Sequence, residues 1–329
     1  MNHKARVRAV LNGETVDRPP VSTWGHDFLR EWSAEDLAAH TVERHKKYDY
    51  DFVKLNPRWT MFAEPWGNEY EPPTEQRFPR LTKKIIESAI DLEHVPNVSA
   101  DHPVFRQHVD ALKIVVEEIG EDVDILVTIF SPLSVLGLLC GGVGSPLLEF
   151  AEERPDEVHA NLEHISETLY EHVSELIDAG AAGVFYAALQ WTSLEVCTDE
   201  FYREFGRPYD ERVLSAAHQA PFNMFHVCGN HIDLPRFFDY PVQVFNWDNF
   251  GPGNSSLAEA SKMTNKVVAA GIPHRKIHKM DQDQLSMVAN DVLEGAGPNV
   301  MLAGGCGIGA TVADDIRCAV TTIADSLKQ

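Results

Sequence analysis

The chain is short of positive charge. Its 329 residues carry 28 Lys and Arg against 50 Asp and Glu, a formal net charge of −22. Such a surface repels phosphate backbones and anionic lipid, which excludes nucleic acid and membrane surfaces as expected partners. Long apolar runs are also missing. Nothing approaches the ~20 consecutive apolar residues of a membrane span, and the opening MNHKARVRAVLNGETVDRPP has no apolar signal core. A cytoplasmic location is the expectation. Cysteine is scarce and odd in number: Cys140, Cys197, Cys228, Cys306 and Cys318. Five cysteines at irregular spacing do not form a disulfide framework in a chain of this length, so they are packing residues, metal ligands or nucleophiles. Repeats, low-complexity tracts and Gly/Ser linkers are absent as well, which argues for one domain over residues 1–329.

What recurs is a short β-branched or aromatic run followed by a longer helical pattern. Eight such runs are present: 21–24, 51–55, 124–130, 182–187, 222–227, 242–247, 266–270 and 299–303. Between them, residues 145–179 read as one helix stopping at Gly180. Thr198 opens another helix with acidic residues in its first turn. Thr311 and Asp314 suggest a capping box for the last one. Apolar strands alternating with helices over this length predict a parallel sheet, and a closed α/β (β/α)8 TIM-type barrel is the expected fold. An open doubly wound sheet is the alternative.

In such a barrel the chemistry sits at the C-terminal ends of the strands. There the sequence places His26 and Asp27, then Asn56, then Tyr186, then His226 and Cys228, then Trp247 and Asp248, then His274, and finally Gly305 and Cys306. Alternation along a strand puts His226 and Cys228 on one side, where an imidazole and a thiolate can meet one ion. Cys306, in a glycine-rich strand end, can reach the same space. Three N/S ligands with a fourth position open describe a catalytic zinc site. A His-x-Cys pair is also ordinary packing, and Cys140, Cys197 and Cys318 read as packing. His26, Asp27, Tyr186, Asp248 and His274 are the expected catalytic or substrate contacts. Asn56, Trp247 and Gly305 are the expected cofactor contacts. Each has a plain structural alternative, such as a helix cap for Asp248 or a core position for Tyr186. The glycine-rich run 304–309 leading to Thr311 has a second reading as a phosphate loop before a helix N-terminus, although no lysine follows it.

The segments HVCGN at 226–230, AGGCGIG at 303–309 and FYREFGRPYDERVL at 201–214, with the opening KARVRAVLNGETVDRPPV and FAEPWG at 62–67, resemble the uroporphyrinogen decarboxylase superfamily over nearly the whole chain. One branch of that superfamily decarboxylates uroporphyrinogen without metal. The other comprises zinc-dependent methyltransferases that pass a methyl group from a corrinoid protein to a thiol such as coenzyme M. The resemblance to the second branch is carried by His226, Cys228 and Cys306. It implies Zn2+, a corrinoid such as methylcobalamin on a separate protein, and a small-molecule thiol or similar acceptor. The decarboxylase pattern is not met. STWGHDFLREW at 22–32 has only Arg30 where that branch has an arginine-rich segment, Asn56 and Pro57 fall near its essential aspartate, and Cys306 replaces its late histidine. A metal-free lyase of tetrapyrrole synthesis and a non-catalytic ligand-binding barrel remain the alternative readings. A homodimer is compatible with a barrel of this type, and no segment names an interface.

Overall fold

The computed structural model describes residues 1–327. Ten strands form. β1 (Val21–Ser22), β2 (Phe52–Leu55), β5 (Asp124–Phe130), β6 (Gly183–Ala187), β7 (Met224–Val227), β8 (Val244–Trp247), β9 (Val267–Ile272) and β10 (Val300–Gly304) make one parallel sheet in the order β1-β10-β9-β8-β7-β6-β5-β2. β3 (Glu69–Glu71) and β4 (Arg80–Lys83) form a separate antiparallel hairpin. The two ends of the parallel sheet meet. Asp51 N donates to Val21 O at 2.8 Å, and Ser22 Oγ donates to Phe52 O at 2.7 Å. The sheet is therefore a barrel, as the alternation of strand and helix predicts.

The strands are apolar because both faces are covered. All seven residues of β5 are buried. Outside the sheet, the helix Pro155–Asp178 turns Val158, Leu162, Ile165, Leu169, Val173 and Leu176 inward at spacings of three and four. Inside, Phe52 meets Phe222 edge-on at 5.3 Å and Trp24 meets Phe185 at 5.0 Å, so rings fill part of the barrel interior. The seam between β1 and β2 is pinned by Asp51, which is fully buried. Its carboxylate accepts from Arg6 (2.6 Å), Arg18 (2.5 Å) and the Val21 amide (2.8 Å). Those contacts tie the first helix, His3–Leu11, to the barrel wall. No helix among the described residues is long and apolar enough to cross a membrane.

Two local expectations change, and one hairpin is added. The segment 145–179 is two helices, Leu147–Glu153 and Pro155–Asp178. Pro155 has no amide to donate into the first helix and instead starts the second. The last helix begins at Asp314 with Ala313 as its cap and no side-chain cap bond, so the Thr311/Asp314 box does not form. The β3/β4 hairpin carries mostly exposed polar residues, and with no buried face it leaves no period-2 hydrophobic signal. Thr198 does cap its helix, accepting from the Phe201 amide at 3.1 Å.

Candidate metal centre

His226 lies on β7 with its neighbours in register: Ala187 on β6, Asn246 on β8 and, beyond, Ala269 on β9. At this level the barrel interior holds small residues and one amide, which leaves room for the imidazole. Cys228 follows at the strand end. Gly229 then turns the chain away with φ 119°, and a Cβ there would stand 2.9 Å from Ser193 Cβ. Cys306 arrives from the end of β10. It can do so because Gly305 lies against Asp248, where a Cβ would come within 2.5 Å of Asp248 Cα. This contact brings the ends of β8 and β10 together.

The result is a trio of donors. One ligand atom each from His226, Cys228 and Cys306 lie within 4.8 Å of one another. The imidazole is oriented by Asn246, whose Nδ2 donates to Ala269 O at 2.7 Å and to Gly304 O at 3.0 Å. With both amide protons used, the Asn246 oxygen faces the ring at 2.7 Å. His226 Nδ1 therefore donates, and Nε2 keeps its lone pair for a metal. Phe185 stacks on the ring at 5.1 Å.

The two thiols are coupled. Cys306 is held well below the usual thiol range, first of all by a hydrogen bond from Cys228. Cys228 is pushed well above that range by the same bond and by burial. A metal bound by both sulfurs would displace the thiol protons. Two thiolates and one imidazole fit zinc, and three protein donors would leave a fourth position for substrate.

The trio opens into a cavity of about 640 Å3. Trp24, Phe28, Trp59, Phe62, Phe130 and Phe185 supply much of its wall. Lys54 is the sole lysine or arginine lining it among the described residues. Its ammonium lies 4.3 Å from the Phe185 ring centre and donates to Asn56 Oδ1 at 2.5 Å. Burial pulls its pKa down to about 7.

The other expected residues separate. His26 and Asn56 are on the cavity wall. His26 Nδ1 lies 2.9 Å from the buried Glu31 carboxylate and 3.1 Å from Asn56 Nδ2. Asp248 and His274 sit behind Cys306. Asp248 pairs with Arg275 at 2.8 Å, and His274 Nδ1 stands 3.9 Å from Asp248. Burial lowers the basicity of His274. Asp27 is beside the cavity rather than in it, accepting from Gln76 at 2.7 Å. Gly305 contributes its missing side chain. Tyr186 and Trp247 point the other way. Tyr186 donates to Asp210 at 2.7 Å in the layer between sheet and helices, and Trp247 Nε1 donates to Ser255 O at 2.9 Å. In each case a strand neighbour faces inward, Phe185 or Asn246, and alternation turns the next residue out. Lys54, Glu31 and Asn246 were not among the expected site residues. A lysine two positions before Asn56 in an otherwise apolar strand was the available signal for the first.

The fold is shared with solved structures. A methyltransferase from Methanosarcina mazei superposes with a TM-score of 0.82 at 20% identity, covering 99% of both chains. A B12-independent methionine synthase from Shewanella sp. W3-18-1 gives 0.65 at 11% identity, covering 94% of this chain and 98% of that one. Among curated proteins, the methylcobamide:CoM methyltransferase MtbA of Methanosarcina acetivorans is 23% identical over 242 residues, 69% of this chain and 70% of the relative. MtaA of Methanosarcina barkeri, of the same description, is 22% identical over 239 residues, 69% of each. The model of the uroporphyrinogen decarboxylase (URO-D) family matches residues 2–324, and the chain belongs to that family.

Proposed function

We propose that this chain is a zinc-dependent methyltransferase that moves a methyl group between a corrinoid carried on a separate protein and a thiol-type acceptor. The observation that carries the reading is the meeting of His226, Cys228 and Cys306 on the wall of a large apolar cavity at the strand ends. The names of the curated relatives, which act on methylcobamide and CoM, support it.

The donor set selects the chemistry. Bound by two thiolates and one neutral imidazole, zinc would lower the pKa of an incoming thiol while leaving its sulfur nucleophilic, which suits displacement at a methyl carbon. The protein's own groups do the rest. Asn246 holds the His226 ring so that Nε2 stays free of its proton. The aromatic wall sets the sulfurs in apolar surroundings, which strengthens charge interactions there. Lys54, on the wall of the main cavity, is placed to meet a negative group on an acceptor bound there. The relatives' names, which print a methylcobamide, support a corrinoid on a separate protein as the proposed partner.

A decarboxylase of tetrapyrrole carboxylates fits less well, because several carboxylates need a cationic lining and this cavity offers one lysine. The test is metal content and turnover together. Protein purified under reducing conditions should hold about one zinc per chain and demethylate methylcobalamin in the presence of mercaptans. Cys228→Ala and Cys306→Ala should lose both properties. Folded wild-type protein that takes up no zinc would end the proposal.

A further inference from the structure

Beside the main cavity lies a second, polar one of about 230 Å3, sharing His26 and Ala310 with it. Two guanidiniums line it, from Arg44 and Arg317. Arg317 is 4% exposed. Its Nε donates to Val312 O at 3.0 Å and its Nη2 to Gly309 O at 2.7 Å, while Nη1 has no protein acceptor. Arg44 donates from Nη1 to Gly25 O at 2.9 Å, and its Nη2 likewise has none. No carboxylate among the described residues forms an ion pair with either.

The acids on this wall are engaged elsewhere. Glu43 takes Arg30 in a fork at 2.6 and 2.9 Å. Asp314 accepts from Tyr48 at 2.5 Å and pairs with Lys47. Asp27 accepts from Gln76 and lies 3.4 Å from His40. A buried cation beside a half-buried one, with no anion for either, is costly. Burial and the Arg317 charge both pull the Arg44 pKa down. Each arginine offers an unused N–H, and a planar donor fork matches a tetrahedral or carboxylate oxyanion. The glycine-rich loop ending at Ala310 runs past this point into the N-terminus of the helix Asp314–Ser326, whose dipole favours the same charge.

We propose that this side cavity is an oxyanion site in which Arg44 and Arg317 hold one phosphate-, sulfonate- or carboxylate-sized group. Its occupant is either a free inorganic oxyanion or the acid tail of a small molecule whose other end lies in the main cavity. The two arginines also hold the carbonyls of Gly25 and Gly309, and both glycines line the main cavity, so filling the site braces one lip of the methyl-transfer pocket. The site stands whether or not the zinc reading does.

The experiment is a calorimetric and thermal-shift titration of the whole chain with inorganic phosphate, methanesulfonate and acetate against chloride at matched ionic strength. A series of mercaptocarboxylic acids of increasing chain length is titrated alongside. Saturable binding of an inorganic or simple oxyanion assigns the free ion. Binding only by a mercaptocarboxylate long enough to span both cavities assigns the tail. In either arm Arg44→Met and Arg317→Met should each weaken binding roughly tenfold or more, Arg44→Lys should recover part of it, and zinc affinity should not move. Arg44 is less buried than Arg317, so its variants report even if Arg317→Met fails to fold. No binding above the chloride control in either arm, or binding that Arg44→Met leaves unchanged, overturns the proposal.

Discussion

Asn246→Ala is the most informative single change near the metal centre. Asn246 is fully buried and makes three hydrogen bonds, to His226 Nδ1, Ala269 O and Gly304 O. Alanine removes all three and leaves one donor and two acceptors without partners. Each unsatisfied buried group costs about 1–3 kcal/mol, and relaxation of the cavity recovers some of it, so the fold should lose roughly 2–5 kcal/mol. The metal should lose more than stability alone explains. A free His226 ring can rotate or bind in the other tautomer, and loss of such an orienting partner typically costs about 10–100-fold in metal affinity, or roughly 1.4–2.7 kcal/mol. Asn246→Asp separates the two effects. It keeps an acceptor for His226 but sets oxygen against the carbonyls of Ala269 and Gly304, so stability should suffer more than ring orientation. The assay is competition for zinc with a chromophoric chelator under reducing conditions, with near-ultraviolet circular dichroism to confirm folding. Folded Asn246→Ala protein with wild-type zinc affinity would refute the assigned role.

Two further changes probe the scaffold. Asp51→Asn leaves the Arg6 and Arg18 guanidiniums facing a neutral amide in a fully buried place; breaking such a cluster costs about 3–5 kcal/mol, read as a lower urea midpoint, and a loss below about 1 kcal/mol would contradict the pinning role of the seam. Asp210 is buried among the hydroxyls of Tyr186, Tyr202 and Tyr240, and burial lifts its pKa from 3.8 to about 7. Between those values the folded state holds more protons than the unfolded chain, so this group's contribution to stability falls as pH rises from about 4 to about 7. Asp210→Asn should flatten that part of the melting-temperature profile, and an unchanged slope would show that Asp210 is ionised throughout.

The barrel was legible because its signal is local and repeated. Eight apolar runs alternating with helical patterns admit few topologies, and the observed strands fall on those runs with small changes at their ends. His226 and Cys228 share a face because side chains alternate along a strand, a rule that needs no tertiary information. Cys306, eighty positions after His226, could only be suggested by the glycines around it and by resemblance. Its arrival beside the pair depends on the approach of Gly305 to Asp248, which strand pairing decides. Tyr186 and Trp247 face outward, which the sequence leaves open because a shift of one residue in a strand turns inside to outside.

The sequence by itself determined the fold class, the acidic surface, and the types of donor available for a metal. Only the tertiary structure decided which of them meet. It put Asn246 behind His226, Lys54 over Phe185, and Arg44 beside Arg317 across most of the chain length. Those pairings rest on register and closure of the barrel, which arise from packing summed over the whole molecule and leave no mark in any short segment of the chain.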